Sequence, residues 1–250
     1  MSTLNAKLLA KLCLPLMFLT TPGFAADEQT PGPEITQLLQ SRLGGAPVQK
    51  PVTTPVDGIY QTRFGSKFAY LSADGRYVLV GDMIDLETQV NLTDLARRGV
   101  AKEALAAFPI DDLVVFPANG ETRSVLNVFT DSSCSFCQKL HREVPELQKA
   151  GIEVRYFPFP RGGERGPGYS DMRKVWCSDD RRQSMDIVKG VDSGDLASGD
   201  CANASIVDRG YNLGNQVGVS GTPALFTRSG RKLDGYVPHQ QLIPLLLSDS

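Results

Sequence analysis

Along the chain the spacing of apolar positions changes three times, and each change predicts a different kind of structure. An apolar run over residues 12–20, interrupted only by Pro15, comes first. From Pro33 onward Ile35, Leu38, Leu39 and Leu43 fall at helical spacing, and Gly44-Gly45 stops the run, which predicts a short amphipathic helix. Between residues 48 and 90 the signals are those of strands and turns. Ile59, Phe64 and Phe68-Ala69-Tyr70-Leu71 lead through an Asp74-Gly75 turn into Tyr77-Val78-Leu79-Val80, the pattern of a hairpin. A unit of about 60 residues with one short helix has a thin core, so association with a second copy is expected. Asn91-Leu92-Thr93-Asp94 then offers caps for a helix through Leu95, Val100, Leu105 and Phe108, ending at Pro109. From Asp112 strands and helices alternate: 113–116 and 125–129 as strands, 134–150 as helix, 152–157 as strand, 168–215 as mostly helix, 224–227 as strand, and 239–247 as a closing helix. The expected fold class is therefore mixed, a small α+β domain (26–90), a linker helix (91–109) and an α/β domain (110–250).

The first 25 residues have the layout of a secretory signal peptide. Lys7 and Lys11 precede the apolar run, and Gly23-Phe24-Ala25-Ala26 places small residues before a cut after Ala25. The run is shorter than the ~20 residues needed to span a bilayer. Cys13, preceded by Lys11-Leu12, does not fit a lipid-attachment box. Removing residues 1–25 takes away two lysines and leaves 24 basic against 28 acidic side chains, a net charge of −4. That balance gives no electrostatic footprint for nucleic acid or an anionic membrane. With 41% hydrophobic and 22% charged residues, the composition is that of an ordinary globular protein.

The exported chain keeps four cysteines, Cys134, Cys137, Cys177 and Cys201. An even number in an exported protein suggests two disulfides in any of three pairings. Cys134-Ser135-Phe136-Cys137 stands where a strand passes directly into a helix. A cysteine there faces unpaired backbone N–H groups and the positive end of the helix dipole, both of which favour the thiolate. Thiolate is the attacking form, and Cys-X-X-Cys pairs commonly have a lowered pKa. Cys137, one turn on, lies on the same side and can close a small disulfide ring. The outer sulfur is expected to be charged and reachable. A zinc site would need a second close pair, which Cys177 and Cys201 do not form, so no metal and no cofactor are expected. A protease would need His141 or His239 as base, and His141 reads instead as a packing or surface residue. Trp176 reads as core, residues 161–166 as a flexible loop, and Arg181-Arg182 with Asp179-Asp180 as a solvated face. About 85 residues after Cys137, Gly218-Val219-Ser220-Gly221-Thr222-Pro223 enters a strand.

Taken together, Phe129-Thr130-Asp131 before the cysteines, Lys139-Leu140-His141 after them, Val154-Arg155-Tyr156 through Phe159-Pro160-Arg161, Val175-Trp176-Cys177 and the Thr222-Pro223 segment resemble the periplasmic disulfide isomerases of the DsbC/DsbG type over the whole exported chain. The resemblance implies a thioredoxin-like catalytic domain with a helical insertion, and an N-terminal domain that dimerises to form a V-shaped homodimer around an apolar cleft for misfolded protein. It implies Cys134 as nucleophile and Cys137 as resolving cysteine, the two forming the redox-active disulfide. It further implies Thr222-Pro223 as a cis-proline loop facing them, able to pair with an extended substrate, and Cys177–Cys201 as a structural disulfide. Misfolded or wrongly bonded exported proteins are the implied partners, a membrane reductase of the DsbD type the electron donor, and the periplasm the location. The dipeptide Ser135-Phe136 departs from the Gly-Tyr of the isomerase pattern, and such residues tune redox strength. A specialised DsbG-like thiol reductase, a dithiol oxidase, and a chaperone that only holds unfolded chains are the competing functions.

Overall fold

The computed structural model describes residues 33–42 and 47–249. The expected signal segment, with Cys13 and its cleavage site, lies outside the described residues, as do Gly44-Gly45. The first helix runs where its apolar spacing predicts, as α1 (Pro33–Arg42). Four antiparallel strands follow, β1 (Val52–Thr53), β2 (Ile59–Phe64), β3 (Lys67–Ser72) and β4 (Val78–Val80), side by side in chain order. The turn at Asp74-Gly75 forms because Gly75 takes φ +67°, a conformation costly for other residues, while Asp74 Oδ1 accepts from Arg76 N at 3.0 Å. The hydrophobic centre of this unit is Leu39, Val48 and Leu71, with Ile35 and Phe64 against them. Along β4, the sheet's edge, Val78, Leu79 and Val80 are all exposed.

A separate hairpin, β5 (Ile84–Asp85) with β6 (Val90–Asn91), leads into α2 (Leu92–Ala106). Asn91 caps this helix by accepting from Asp94 N at 2.8 Å. Its first turn is fastened to the sheet: buried Thr93 hydrogen-bonds the Tyr70 hydroxyl and accepts from Met83 N at 2.7 Å. Its later turns belong to the second unit, where Ala101 and Leu105 are buried beside Phe226 and Leu213. The helix stops at Ala106, before the expected Pro109, and a 3-10 turn over Ile110–Asp112 follows.

The second unit is a five-stranded sheet of β7 (Val114–Phe116), β8 (Ser124–Thr130), β9 (Ile152–Pro158), β10 (Ala224–Phe226) and β11 (Lys232–Asp234), in the order β11-β10-β8-β9-β7. Only β8 and β9 are parallel, so a helical crossover must join them. Strand β8 is central and buried at all seven positions. Its alternating side chains feed two cores: Leu126 and Val128 on one face with Tyr156 and Trp176, Phe129 on the other with Phe157 and Phe226. The crossover expected as one helix is two, α3 (Ser135–His141) and α4 (Val144–Lys149). Pro145 has no N–H to give and breaks the hydrogen-bond ladder there. Glu143, at the break, accepts from the Tyr236 hydroxyl, from His239 N at 2.8 Å and from His239 Nδ1 at 3.1 Å.

The expected helical stretch resolves into α5 (Tyr169–Cys177), α6 (Arg181–Val188) and α7 (Ser205–Gln216), with an irregular glycine-containing segment before a 3-10 turn at Ala202–Ala204. Asp180 caps α6, accepting from Arg182 N and Gln183 N, so part of the presumed solvated face is a helix start. Gly214 lets α7 lie directly on the sheet: a Cβ there would come 2.4 Å from the Phe159 ring. β11 has no apolar pattern of its own, which is why the sequence did not announce it; pairing with β10 makes it a strand. The closing helix α8 (His239–Ser248) buries Leu242 and Leu246, and Ser124 Oγ donates to Leu246 O at 2.9 Å.

Candidate active site at the start of the third helix

Thr130 ends β8, three residues follow, and Cys134 becomes the N-cap of α3 with extended backbone (φ −93°, ψ 114°). The turn between them is held by Asp131, which has no exposed surface. Its Oδ1 accepts from Ser133 N and Ser133 Oγ, both at 2.8 Å, and its Oδ2 from Arg161 N at 2.9 Å and Arg161 Nε at 3.0 Å. Burial pushes the Asp131 carboxyl up, but these donors outweigh it and hold the group below the usual carboxylate range. Gly168 permits this clasp, since a Cβ there would stand 2.0 Å from Asp131 Oδ1.

Facing Cys134 is the segment entering β10. The Thr222–Pro223 peptide is cis, and Cys134 Sγ lies 3.2 Å from Thr222 O, to which its thiol can donate. The Thr222 hydroxyl is buried and has no hydrogen-bond partner, so it is the donor at hand once the thiol proton leaves. The Cys134 thiol is lowered to about 5, first by the hydrogen bond from Cys137, against burial, with help from Thr222, the Cys137 backbone N–H and the charge of Arg161. Cys137, inside the first turn and 1% exposed, is pushed the other way by burial and by the hydrogen bond it gives to Cys134. Both are free thiols, the reduced state of a Cys-X-X-Cys pair. At neutral pH the outer sulfur is thus an anion and the inner one a thiol, a pair able to attack a disulfide and then close on itself.

Two family models match this chain: one described as a thioredoxin-like domain, over residues 111–248, and one described as a disulfide bond isomerase protein N-terminal domain, over residues 23–94. The thiol:disulfide interchange protein DsbC of Pasteurella multocida is 30% identical over 231 residues, covering 92% of this chain and 95% of that protein. The DsbC of Escherichia coli K12 is 33% identical over 190 residues, covering 75% and 76%. The chain belongs to the DsbC family. A crystal structure of a disulfide interchange protein from Neisseria gonorrhoeae matches 57% of this chain and 98% of that one, at 26% identity and a TM-score of 0.48. As a DsbC-family protein the chain is a thiol–disulfide oxidoreductase, with an N-terminal isomerase-family domain ahead of a thioredoxin-like one.

In this DsbC-family site one expectation needs correction. Cys134 is only 3% exposed, because the Thr222-Pro223 segment roofs it, so the charged sulfur is not openly reachable. Its neighbour Phe136 is 57% exposed and stacks on Tyr236, with ring centroids 6.3 Å apart, while Lys139 Nζ lies 4.5 Å above the Tyr236 ring. His141 is not brought to the sulfurs. It is buried, with Nδ1 2.8 Å from the Tyr156 hydroxyl and Nε2 2.7 Å from Asp186 Oδ1, and burial lowers its pKa despite Asp186. With both ring nitrogens engaged it cannot ligate a metal beside Cys137, and no cluster of three or more His, Cys, Asp or Glu side chains suited to a metal occurs among the described residues. His239 is held by Glu143. Trp176 is fully buried and donates to Asp112 O at 2.7 Å. Cys177, at the end of α5, is bonded to Cys201, with Cα atoms 5.7 Å apart.

Two residues near the sulfurs were missed in the sequence. Arg161, read as part of a flexible loop, is fixed on Asp131 and lends charge to Cys134. Lys189 is fully buried below the motif and donates to Thr130 Oγ1 and Asp131 O, both at 2.8 Å. Its position four residues after buried Met185 was the available signal, a lysine on the inward face of α6.

Proposed function

We propose that the protein is a periplasmic disulfide isomerase and reductase that works through Cys134 and Cys137, and the observation that carries this is the placement of the two free thiols at the start of α3, with Cys134 as its N-cap and its Sγ 3.2 Å from Thr222 O. The Cys134 thiolate attacks one sulfur of a wrong substrate disulfide; a Cys134–substrate bond forms and the other substrate sulfur leaves as a thiolate. In isomerisation a second substrate thiolate attacks the bonded substrate sulfur, a new substrate disulfide forms, and Cys134 is released as thiolate with no net redox change. In reduction Cys137 gives up its proton to solvent and attacks Cys134; the Cys134–Cys137 bond forms, the substrate sulfur leaves, and two electrons pass to the substrate. A membrane reductase of the DsbD type then restores the dithiol. Thr222 and Pro223 bind substrate: an extended chain lying beside Thr222 displaces its carbonyl from Cys134 and uncovers the sulfur.

The match of residues 23–94 to an isomerase N-terminal domain supports the isomerase over the oxidase. The proposed plan is signal (1–25), dimerisation domain (26–90), linker helix (91–109) and catalytic domain (110–250); the match of residues 23–94 to the isomerase N-terminal domain and the exposed apolar edge at Val78, Leu79 and Val80 support a homodimer. The Cys177–Cys201 bond serves as a structural disulfide. The test is refolding of a scrambled multi-disulfide protein alongside insulin reduction, with wild type and Cys134→Ala. Loss of both activities in the variant is expected; undiminished repair by Cys134→Ala leaves only a holding chaperone, and a pair found oxidised in cells leaves an oxidase.

A further inference from the structure

Asp131 and Lys189 are the two side chains of fixed opposite charge that are wholly buried among the described residues, and they are not bonded to each other through their charged ends. The Asp131 carboxylate is spent on Ser133 and Arg161, while the Lys189 ammonium meets only its main-chain oxygen and the Thr130 hydroxyl. A buried ammonium with neutral acceptors alone is costly, which favours a negative charge near it. The groups whose charge acts on Lys189 are Cys137, Asp131 and Cys134, and His141, itself tied to Asp186, feels the charge of Lys189.

We propose that Lys189 is a positioning residue for the dithiol: its ammonium is the buried counter-charge that stabilises the sulfur anion at Cys134, and the one at Cys137 when that thiol gives up its proton, and so favours the reduced pair over the disulfide. Geometry carries this. The lysine closes α6 as its C-cap and donates to Thr130 and Asp131, the last strand residue and the first turn residue before the cysteines, so its charge is fixed under the motif. Burial lowers the lysine to about 8, which leaves it mostly protonated at neutral pH yet within range of a change in its neighbours. The inference rests on Cys134 and Cys137 being the redox pair.

Coupling between lysine and sulfurs is reciprocal, so oxidation, which removes thiolate charge, must loosen the lysine's proton. In wild type labelled with ¹³C at lysine Cε, the Lys189 resonance is therefore expected to titrate at lower pH in the disulfide form than in the dithiol form, by at least threefold in proton affinity. The same midpoint in both forms overturns the proposal. If the Cys134–Cys137 disulfide does not form at all, seen as no loss of two hydrogens in mass, the redox reading itself falls. A second measurement uses Lys189→Gln, which keeps donors but not charge, and Lys189→Met, which keeps neither. In glutathione equilibrium both are expected to favour the disulfide about tenfold more than wild type, ~30 mV for a two-electron couple. A glutamine variant that matches wild type while the methionine variant shifts assigns Lys189 a purely structural role and overturns the proposal.

Discussion

The two sheets of this protein solve the same problem to different degrees. The C-terminal sheet is covered on both faces, and its central strand β8 has no exposed residue. The N-terminal sheet closes over a smaller cluster centred on Leu39, Val48 and Leu71, and leaves its last strand bare. A sheet covered on both faces can hold a charged sulfur at a fixed point, because nothing near it has room to shift. A sheet with an open apolar edge cannot finish itself, and its unpaired backbone groups and Val78, Leu79 and Val80 invite another strand. On the proposed reading, chemistry resides in the complete unit and association in the incomplete one.

The largest effect expected from testing this contrast is in the complete core. Trp176→Ala should destabilise the C-terminal unit by about 3–5 kcal/mol in denaturant titration; a loss under 1 kcal/mol contradicts the account of a filled interior. Replacing Cys177 and Cys201 by Ala should lower the same transition by about 2–4 kcal/mol, near the ~3.5 kcal/mol that chain entropy gives for a loop of this length. Alkylation of reduced Cys134 by iodoacetamide should follow the thiolate, flat from about pH 8 to about pH 6, half-maximal near pH 5, and falling tenfold per pH unit below. A midpoint near that of free cysteine would remove the electrostatic argument. The smallest effect on stability should come from Leu79→Lys on β4, within about 0.5 kcal/mol for the C-terminal unit, since the residue is exposed. Light scattering should nevertheless report half the wild-type mass, with the Cys134 alkylation profile unchanged.

Much of this was legible in the sequence because local chemistry decided it. Asp74-Gly75 named its turn, Asn91 named its helix start, and Cys-X-X-Cys after an apolar strand named the candidate site. What was not legible depends on partners far away in the chain. The spacing of Lys189 from Met185 hints at an inward face, but what the lysine fastens is decided only when α6 packs against Thr130. Arg161 looks like loop until Asp131, 30 residues earlier, fixes it. The resemblance placed Thr222-Pro223 opposite the cysteines, but no local pattern reports that a carbonyl 88 positions later will cover the sulfur. The break at Glu143 could have been read from Pro145, but not its fastening to Tyr236 and His239.

That fastening has a consequence for how the enzyme comes into being. The elbow between α3 and α4 is clamped by the first residue of α8, and β8 is tied to α8 near its other end, through Ser124 and Leu246. A segment 96 positions downstream of Glu143 therefore locks the helix that begins at Cys134. The setting of the thiol is complete only with α8 docked at both places.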